Sequence, residues 1–467
     1  MDKTNSVVDG RLVNGQEEIH AQITPATTYT MYVKLDKQGI VQDNTEFDIL
    51  VIKVGTEEIE LGPSRFIHQA ENPDYDGYLV FTKDIYNVQD LFARQKKSPL
   101  QRGFNNLPFI LSHKDHVKQE FKDYCSDLTY CLSVYRQLFE NMDNEYLAEP
   151  EFIREMIQQT IITNEGAEFL RYFEKRLKEL EKLVVNFTQE EHERHGYYFR
   201  RQVWGFIRES EIMFRNNIKP RGYSGDFEIM RMIYKMDILG NSTFSRLMHK
   251  HPVEHPAAQA VRNRRKLISE SLIDAAAHVD LVKGHRLKVL SVACGPAFEL
   301  KDILATADEC QKYELTLLDQ DEQALREAAA LINEIQEQLQ QNITVTYLQE
   351  SVRIMMSPRR LSSKWGKYHF IYSMGLFDYL TPPVAKAVIS NLYRLLEPGG
   401  QLLIGNFHIS NPSRVYMEYW NDWVLFYRSE EDMLSLLQQA EAEHSLEFEG
   451  TGSQMFLEVT KPGNAID

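Results

Sequence analysis

Short apolar runs dominate the first part of the chain. Between Thr28 and about Phe92 they include Phe47–Ile52 and Tyr78–Phe81, and Gly, Asn, Pro and Asp residues separate them. Short runs broken by these turn residues are typical of antiparallel strands. Residues 1–108 are therefore predicted to form a small β-barrel or a sandwich.

In the middle third, apolar residues recur at helical spacing. They repeat every three or four positions over residues 114–142 and again over 169–184, which is the pattern of amphipathic helices. Thr188 followed by Glu191 forms a capping box that opens a further helix. Residues 109–245 are therefore predicted to be a helical region that forms a lid or a dimer surface.

The last part of the chain alternates apolar runs with amphipathic stretches. Leu287–Val292 and Leu315–Asp319 are the first two runs, and Leu395–Phe407 is a later one. Strands that alternate with helices are typical of a parallel sheet covered on both faces. Residues 246–467 are therefore predicted to form a doubly wound α/β domain.

A turn of small residues follows the first of these runs. Ala293, Gly295 and Pro296 lie between this run and an amphipathic stretch, so backbone N–H groups at a helix N-terminus would face a ligand. The second run ends in Asp319, whose carboxylate can accept hydrogen bonds from both hydroxyls of a ribose. This is the pattern of a nucleotide-binding strand, turn and helix, although any βαβ unit with a glycine turn and a later Asp also gives it.

Two further segments extend the pattern in the same order. They are Phe370–Leu380 and Leu395–Phe407, and the second contains a Leu-Glu-Pro-Gly-Gly turn before its strand. With them, the region from about Arg286 to Lys461 resembles a class I methyltransferase that uses S-adenosylmethionine. The resemblance implies a Rossmann-like fold, methyltransferase activity and this cofactor.

The first motif departs from the family pattern. Ser291, Ala293, Gly295 and Ala297 stand where the family has an acid and three small residues, so the acid and two glycines are replaced. Glu299 either takes over the missing charge or is an ordinary acid favoured by a helix N-terminus. The family pattern also implies cofactor contacts at Pro296, Asp319, Gln320, Ser351, Val352, Ser373 and Gly375, with Ser351 and Val352 at the adenine edge.

Four segments also resemble a bacterial methyltransferase group associated with 3-hydroxy fatty acid methyl esters that serve as extracellular signals. They are Gly222–Asp226, Arg262–Arg265, Ser373–Leu380 and Asp422–Arg428. The resemblance implies O-methylation of a small carboxylate or a lipid-like acceptor, such as a 3-hydroxy fatty acid.

The acceptor decides which side chains the reaction needs. A carboxylic acid with a pKa of roughly 4 to 5 is already ionised at neutral pH and needs no general base. A hydroxyl acceptor would need His408 as its base, and local satisfaction of His408 by the backbone is an equal alternative. The acceptor-side candidates lie in the glycine loop, in the basic ridge before the sheet, or after the parallel strands: Tyr223, Arg262, Arg265, Asp378, Tyr379, Phe407 and His408.

Two other features have two explanations each. Asp226 could cap a turn in its glycine loop or hydrogen-bond the cofactor. The aromatic residues between Tyr416 and Tyr427 could line an acyl tunnel, but core packing is the commoner explanation.

The charge balance limits the partners. The formal net charge is −16 with a pI of about 5.4, and no basic block offsets it, so nucleic acid is not an expected partner. His192 and His195 share a helix face without further ligands at metal spacing, so no metal is expected. The expected partner is a small-molecule acceptor, and a homodimer stays open.

The cysteines and the N-terminus suggest a cytoplasmic protein. Four cysteines form neither a CxxC pair nor a disulfide framework,. Residues 1–6 lack the basic and apolar pattern of a signal peptide, and no apolar run is long enough for an integral membrane segment. A cytoplasmic location is therefore expected.

The N-terminal module and the whole chain each leave alternatives. Leu61–Arg65 resembles a turn of PilZ-like barrels, but the arginine pair and the Asp/Asn-x-Ser-x-x-Gly motif that bind cyclic dinucleotides are absent, which favours a docking or dimerisation module. A non-enzymatic S-adenosylmethionine sensor, motivated by Ser291, is the alternative to an enzyme. A nicotinamide-dependent oxidoreductase would require Gly-x-Gly-x-x-Gly, which is absent.

Overall fold

The fold has an N-terminal sheet, a helical region and a C-terminal sheet covered by helices. The computed structural model describes residues 7–15, 17–26, 30–36, 41–54, 57–68, 75–82, 88, 113–278, 286–351, 354–355, 365–439 and 442–463. These three parts follow the predicted order, and the exact domain boundaries at 108 and 245 stay predictions.

The N-terminal sheet has eight antiparallel strands in the order β4-β7-β8-β3-β2-β1-β5-β6. Their bounds are β1 Val8–Asn14, β2 Glu17–Pro25, β3 Thr30–Leu35, β4 Glu46–Phe47, β5 Ile49–Val54, β6 Glu57–Leu61, β7 Ser64–His68 and β8 Gly77–Phe81. The sheet curls around a buried apolar face that includes Leu12, Ile23, Met31, Leu50 and Phe66. Among the described residues its edge strands β4 and β6 do not pair with each other, so the predicted small barrel has the form of a half-barrel.

The helical region packs its apolar faces together around aromatic side chains. Its helices are α1 Gln119–Glu145, α2 Glu151–Thr163, α3 Glu165–Val184, α4 Gln189–Gln202, α5 Trp204–Ile207, α6 Glu211–Ile218, α7 Phe227–Lys235, α8 Thr243–Glu254 and α9 Pro256–His278. Phe121, Phe169 and Phe173 lie in its core, which Tyr419 and Trp420 of the C-terminal domain complete. The predicted capping box of Thr188 and Glu191 opens α4. None of the helices in the described part of the chain is both long and apolar enough to span a membrane.

The C-terminal sheet has seven strands in the order β11-β10-β9-β12-β13-β15-β14. Its strands are β9 Leu287–Val292, β10 Tyr313–Asp319, β11 Thr344–Gln349, β12 Tyr368–Ser373, β13 Leu396–Phe407, β14 Glu443–Phe448 and β15 Gln454–Thr460. The helices between and after them are α10 Leu300–Ile303, α11 Ala307–Lys312, α12 Glu322–Leu339, α13 Pro382–Arg394, α14 Arg414–Trp420 and α15 Glu430–Ser435. The pairs among β9 to β13 are parallel, whereas β15 is antiparallel to both of its neighbours. The predicted doubly wound Rossmann-like fold is confirmed.

The strand order creates a crevice at the carboxyl ends of β9, β10, β12 and β13. In open α/β sheets, ligands bind at the position where the strand order reverses. Here the order reverses at β9, which lies between β10 and β12. Helices α7 and α9 contribute side chains to one wall of this crevice, and the N-terminal sheet contributes Thr30 and Val80 to another. We call this space the central cavity.

Candidate functional site

The turn after β9 forms the floor of the central cavity. Ala293, Gly295 and Ala297 have φ angles of 54°, 55° and 51°, and the N–H of Cys294 donates to the Leu318 carbonyl oxygen at 3.0 Å. A Cβ atom at Gly295 would meet no atom within 4 Å. Gly295 is therefore suited to this position by its positive φ and by the open space beside its backbone, where a ligand can approach closely.

Asp319 connects the end of β10 to this turn. One carboxylate oxygen accepts the N–H of Gly295 at 2.9 Å and the other accepts the N–H of Asp321 at 2.9 Å. The side chain is buried, lines the cavity, and has its pKa raised by burial. Each oxygen retains acceptor capacity, so the carboxylate can still receive hydroxyl groups of a ribose.

Glu299 supplies a second carboxylate to the cavity. It is 1% exposed, lines the cavity and accepts the Tyr372 hydroxyl at 2.7 Å. Burial raises the pKa of its carboxyl group. An ordinary helix-terminal acid would be solvated, so this burial favours the interpretation that Glu299 replaces the charge missing at Ser291.

The other predicted cofactor residues divide into two groups. Ala293, Pro296, Gln320, Ser351 and Gly375 line the cavity together with Gly295, Glu299 and Asp319. Ser291 and Ser373 are buried within their strands and are not among the described lining residues. Ser373 donates its hydroxyl to the Val292 carbonyl oxygen at 2.9 Å, which ties β12 to β9. Val352 lies outside the described residues.

Four of the predicted acceptor-side residues also line the cavity: Tyr223, Asp378, Tyr379 and Phe407. Asp378 accepts the N–H of Phe407 at 2.7 Å, and burial raises its pKa to about 6. The Tyr379 hydroxyl donates to the Ser224 carbonyl oxygen at 2.7 Å and accepts the indole N–H of Trp423 at 2.9 Å. These bonds join the glycine loop to the strand end.

Arg262 and Arg265, which form the predicted basic ridge, are not among the described residues that line the cavity. Arg262 donates to the Val253 carbonyl oxygen at 2.7 Å, and Arg265 pairs with Asp302 at 2.6 Å. Arg264 lines the cavity instead. Successive residues of a helix point about 100° apart, so Arg264 shares the inward face with Val261. The buried apolar positions Val261 and Ile268 are the sequence signal that could have identified this face.

His408 also lies apart from the described cavity lining. Its Nε2 atom is 3.0 Å from a Glu430 carboxylate oxygen, and its Nδ1 atom is 2.6 Å from the Ser410 hydroxyl oxygen. The ring packs edge-on against Phe448. The alternative of a locally satisfied histidine therefore fits this geometry better than a general base does.

Asp226 and the aromatic stretch between Tyr416 and Tyr427, for which the sequence allows two explanations each, have mainly structural contacts. Asp226 accepts the N–H of Ile229 at 3.2 Å, caps α7 and pairs with Arg215 at 2.9 Å. In the aromatic stretch, Tyr419 and Trp420 belong to the helical core, whereas Trp423 lines the central cavity. Trp423 is therefore the aromatic residue of this stretch that lies at the site. Its position in the sequence pattern did not distinguish it from its neighbours.

The sequence of residues 289–400 matches a family described as a methyltransferase domain. The match confirms the prediction of a methyltransferase with S-adenosylmethionine as its cofactor, and it does not determine the acceptor. No curated protein matches the chain.

Solved structures give weaker similarities. A possible exported protein from Bordetella parapertussis is 17% identical, with 56% of this chain and 96% of that chain covered at a TM-score of 0.40. Magnesium protoporphyrin IX methyltransferase from Synechocystis PCC 6803, with bound S-adenosylhomocysteine, is 15% identical over 44% and 86% of the two chains at a TM-score of 0.34. An O-methyltransferase family protein from Burkholderia thailandensis is 15% identical over 45% and 60% at 0.32.

Proposed function

We propose that this methyltransferase transfers a methyl group from S-adenosylmethionine to an oxygen of a small carboxylate or lipid-like acceptor, of which a 3-hydroxy fatty acid is an example. The observation that carries the proposal is that one cavity holds both the nucleotide-type turn at Gly295 and the acceptor-side residues Tyr223, Asp378 and Tyr379. A cofactor on one side and an acceptor on the other would meet at the carboxyl ends of the same strands.

The cofactor side of the cavity has groups that fit each part of S-adenosylmethionine. Asp319 would receive the ribose hydroxyls, Glu299 would face the ammonium group, and Ser351 and Gln320 would lie beside the adenine. The open space at the Cβ position of Gly295 supports this fit, because a bound ligand can approach the backbone there. When bound, the cofactor supplies a methyl carbon that an acceptor oxygen attacks as the carbon–sulfur bond breaks.

The acceptor side is better suited to a group that is already ionised. The described lining includes no histidine or lysine side chain. Burial raises the pKa values of Tyr223 and Tyr379, so both phenols stay protonated at neutral pH and act as hydrogen-bond donors. A carboxylate needs no general base, which favours a carboxylate over a hydroxyl acceptor.

Apolar side chains form much of the remaining wall. Phe227, Val261, Phe407, Trp423 and Leu425 lie on the side of α7, α9 and β13. Such a wall excludes water from an acceptor and accommodates a hydrocarbon or aromatic body. This supports a lipid-like acceptor over a highly polar one.

The test is methyl transfer from labelled S-adenosylmethionine to a panel of 3-hydroxy fatty acids of different chain lengths. Each acid is paired with the corresponding 1,3-diol, which keeps the tail and the hydroxyl group and lacks the carboxylate. We expect base-labile methyl esters from the acids and no product from the diols. Methylation of the diols alone, or of neither set, would contradict the proposal of a carboxylate acceptor.

One observation favours a second candidate function, methylation of a hydroxyl group. Asp378 is a cavity carboxyl group with a pKa of about 6, and a buried carboxylate of this kind can serve as a general base. Base-stable methyl ethers in the same assay would support this function.

The N-terminal half-barrel has a proposed role beside the cavity. We propose that this module is PilZ-like and serves as a docking or dimerisation surface. Val80 packs in the same apolar cluster as Val384 at the start of α13, and it lines the cavity together with Thr30. A partner docked on this module could therefore affect the site.

A further inference from the structure

Arg264 is a buried cation whose hydrogen-bonding capacity is poorly used. Its side chain lies in α9, is 6% exposed and lines the central cavity. Its contacts are the Met374 carbonyl oxygen at 3.4 Å, the Tyr234 hydroxyl oxygen at 3.4 Å and the Met230 sulfur at 3.1 Å. A guanidinium group has five N–H donors, and a thioether sulfur is a weak acceptor. Since the two contacts to oxygen are long and the third is to sulfur, much of this donor capacity is free.

No carboxylate of the described residues forms an ion pair with Arg264. Burial raises the pKa values of Glu299 and Asp378, and the charge of Arg264 opposes that rise, but the two carboxyl groups accept other donors, the Tyr372 hydroxyl and the Phe407 N–H. Removing a charge from water without a carboxylate in direct contact carries a large desolvation cost. A ligand anion that entered the cavity would offset this cost.

The backbone opposite Arg264 leaves room for its charged end. A Cβ atom at Gly375 would lie only 3.3 Å from an Arg264 terminal nitrogen. Gly375 follows β12 and lines the cavity, so the glycine lets the guanidinium group lie against the strand end where the reacting groups would meet.

We propose that Arg264 binds a carboxylate in the central cavity. The planar fork of its N–H groups matches the two oxygens of a carboxylate. The inference rests on the proposed function and deepens it. The carboxylate belongs either to the acceptor or to the methionine portion of the cofactor, and these two sources give different results on substitution.

The experiment compares Arg264→Gln and Arg264→Lys with Arg265→Gln in the full chain. Arg265 is the matched control, because it is the next residue of α9 and pairs with Asp302 away from the cavity. Calorimetry measures the affinity for S-adenosylhomocysteine and for 5′-methylthioadenosine, which lacks the amino-acid portion. Assays with labelled cofactor measure KM for a 3-hydroxy fatty acid, and circular dichroism confirms that each variant is folded.

A cofactor carboxylate predicts that Arg264→Gln weakens S-adenosylhomocysteine binding by about 10- to 100-fold, the range for a charge-assisted hydrogen-bonded pair, and leaves 5′-methylthioadenosine binding unchanged. An acceptor carboxylate predicts unchanged binding of both nucleosides, a KM raised by a similar factor, and partial rescue by Arg264→Lys.

Either pattern supports the proposal. It is overturned if the folded Arg264→Gln variant matches Arg265→Gln in nucleoside affinity and in KM, or if both nucleosides lose affinity equally. A further outcome is that Arg264→Gln loses S-adenosylhomocysteine binding while the unsubstituted protein methylates no carboxylic acid. This outcome would refute the proposed acceptor and leave the role of Arg264 intact.

Discussion

The two sides of the central cavity are built differently. On the side proposed for the cofactor, backbone groups of the β9 turn and one carboxylate at the end of β10 form the wall of the cavity. On the side proposed for the acceptor, side chains from the glycine loop, α7, α9 and the segments after β12 and β13 converge. Strand ends and turns have fixed positions in this fold, whereas the direction of a side chain depends on helix register and loop geometry.

Substitution of Asp319 should have the largest effect on the cofactor side. Asp319→Ala removes a carboxylate that holds the Gly295 N–H and would hold the ribose. We expect an affinity for S-adenosylhomocysteine about 100-fold lower, as expected for the loss of several hydrogen bonds to a charged group. Calorimetry measures this, with Asp302→Ala as a control at an exposed acid. Unchanged affinity for Asp319→Ala would remove the ribose contact from the account.

Two glycine substitutions should affect the acceptor side and the cofactor side of the cavity separately. A Cβ atom at Gly225 would lie 2.2 Å from a ring carbon of Trp423, and the residue has a φ of 72°. Gly225→Ala should therefore displace Trp423, cost about 1 to 3 kcal/mol of stability, and lower kcat/KM for the acceptor while cofactor affinity is retained.

Gly295→Ala is the matched substitution on the other side. Its Cβ atom would meet no protein atom but would occupy the space proposed for the cofactor. We expect weaker binding of S-adenosylhomocysteine, measured by calorimetry, with a stability loss of only about 1 kcal/mol from the positive φ. The same functional defect in both glycine variants would contradict the separation into two sides.

The pH dependence distinguishes the two acceptor classes. Burial raises the pKa of Asp378 to about 6, so its charge appears as the pH rises through this value. An ionised Asp378 repels a carboxylate acceptor, and kcat/KM should fall by about tenfold between roughly pH 5 and 7. A hydroxyl acceptor that uses Asp378 as base would give a rise instead. Asp378→Asn keeps an acceptor for the Phe407 N–H and should flatten either profile.

Glu299→Gln should have opposite effects on stability and on binding. The folded pKa of Glu299 is raised by burial, so its ionisation destabilises the cofactor-free protein increasingly as the pH rises above the unfolded value. Glutamine removes this cost, and we expect a higher Tm at neutral pH together with about fivefold weaker S-adenosylhomocysteine binding. A lower Tm and unchanged binding would assign Glu299 a purely structural role.

His408→Ala should have the smallest effect. Its ring nitrogens are bonded to Glu430 and Ser410 outside the described cavity lining. We expect cofactor affinity and kcat to change by less than about twofold, because the ring is not part of the described wall of the cavity,. A large loss of kcat with normal cofactor affinity would restore the general base hypothesis.

Sequence patterns predicted the sheet, the turn and Asp319 because strand periodicity and motif spacing determine the backbone path. They did not reveal β1 and β2, because Gly10 breaks the apolar face of β1, and in β2 the single apolar residues Ile19, Ala21 and Ile23 alternate with polar ones and form no continuous apolar run. The choice among Arg262, Arg264 and Arg265 required the packing of α9, which sequence spacing alone does not determine. Trp423 reached the site through a loop, where no periodicity applies.

The central claim is that the turn at Gly295 and the carboxylate of Asp319 bind S-adenosylmethionine in the cavity that also receives the acceptor. Its most direct test is a calorimetric titration of the purified full chain with S-adenosylhomocysteine. We predict binding in the micromolar range at one site per chain. An absence of binding to the folded protein would contradict the account.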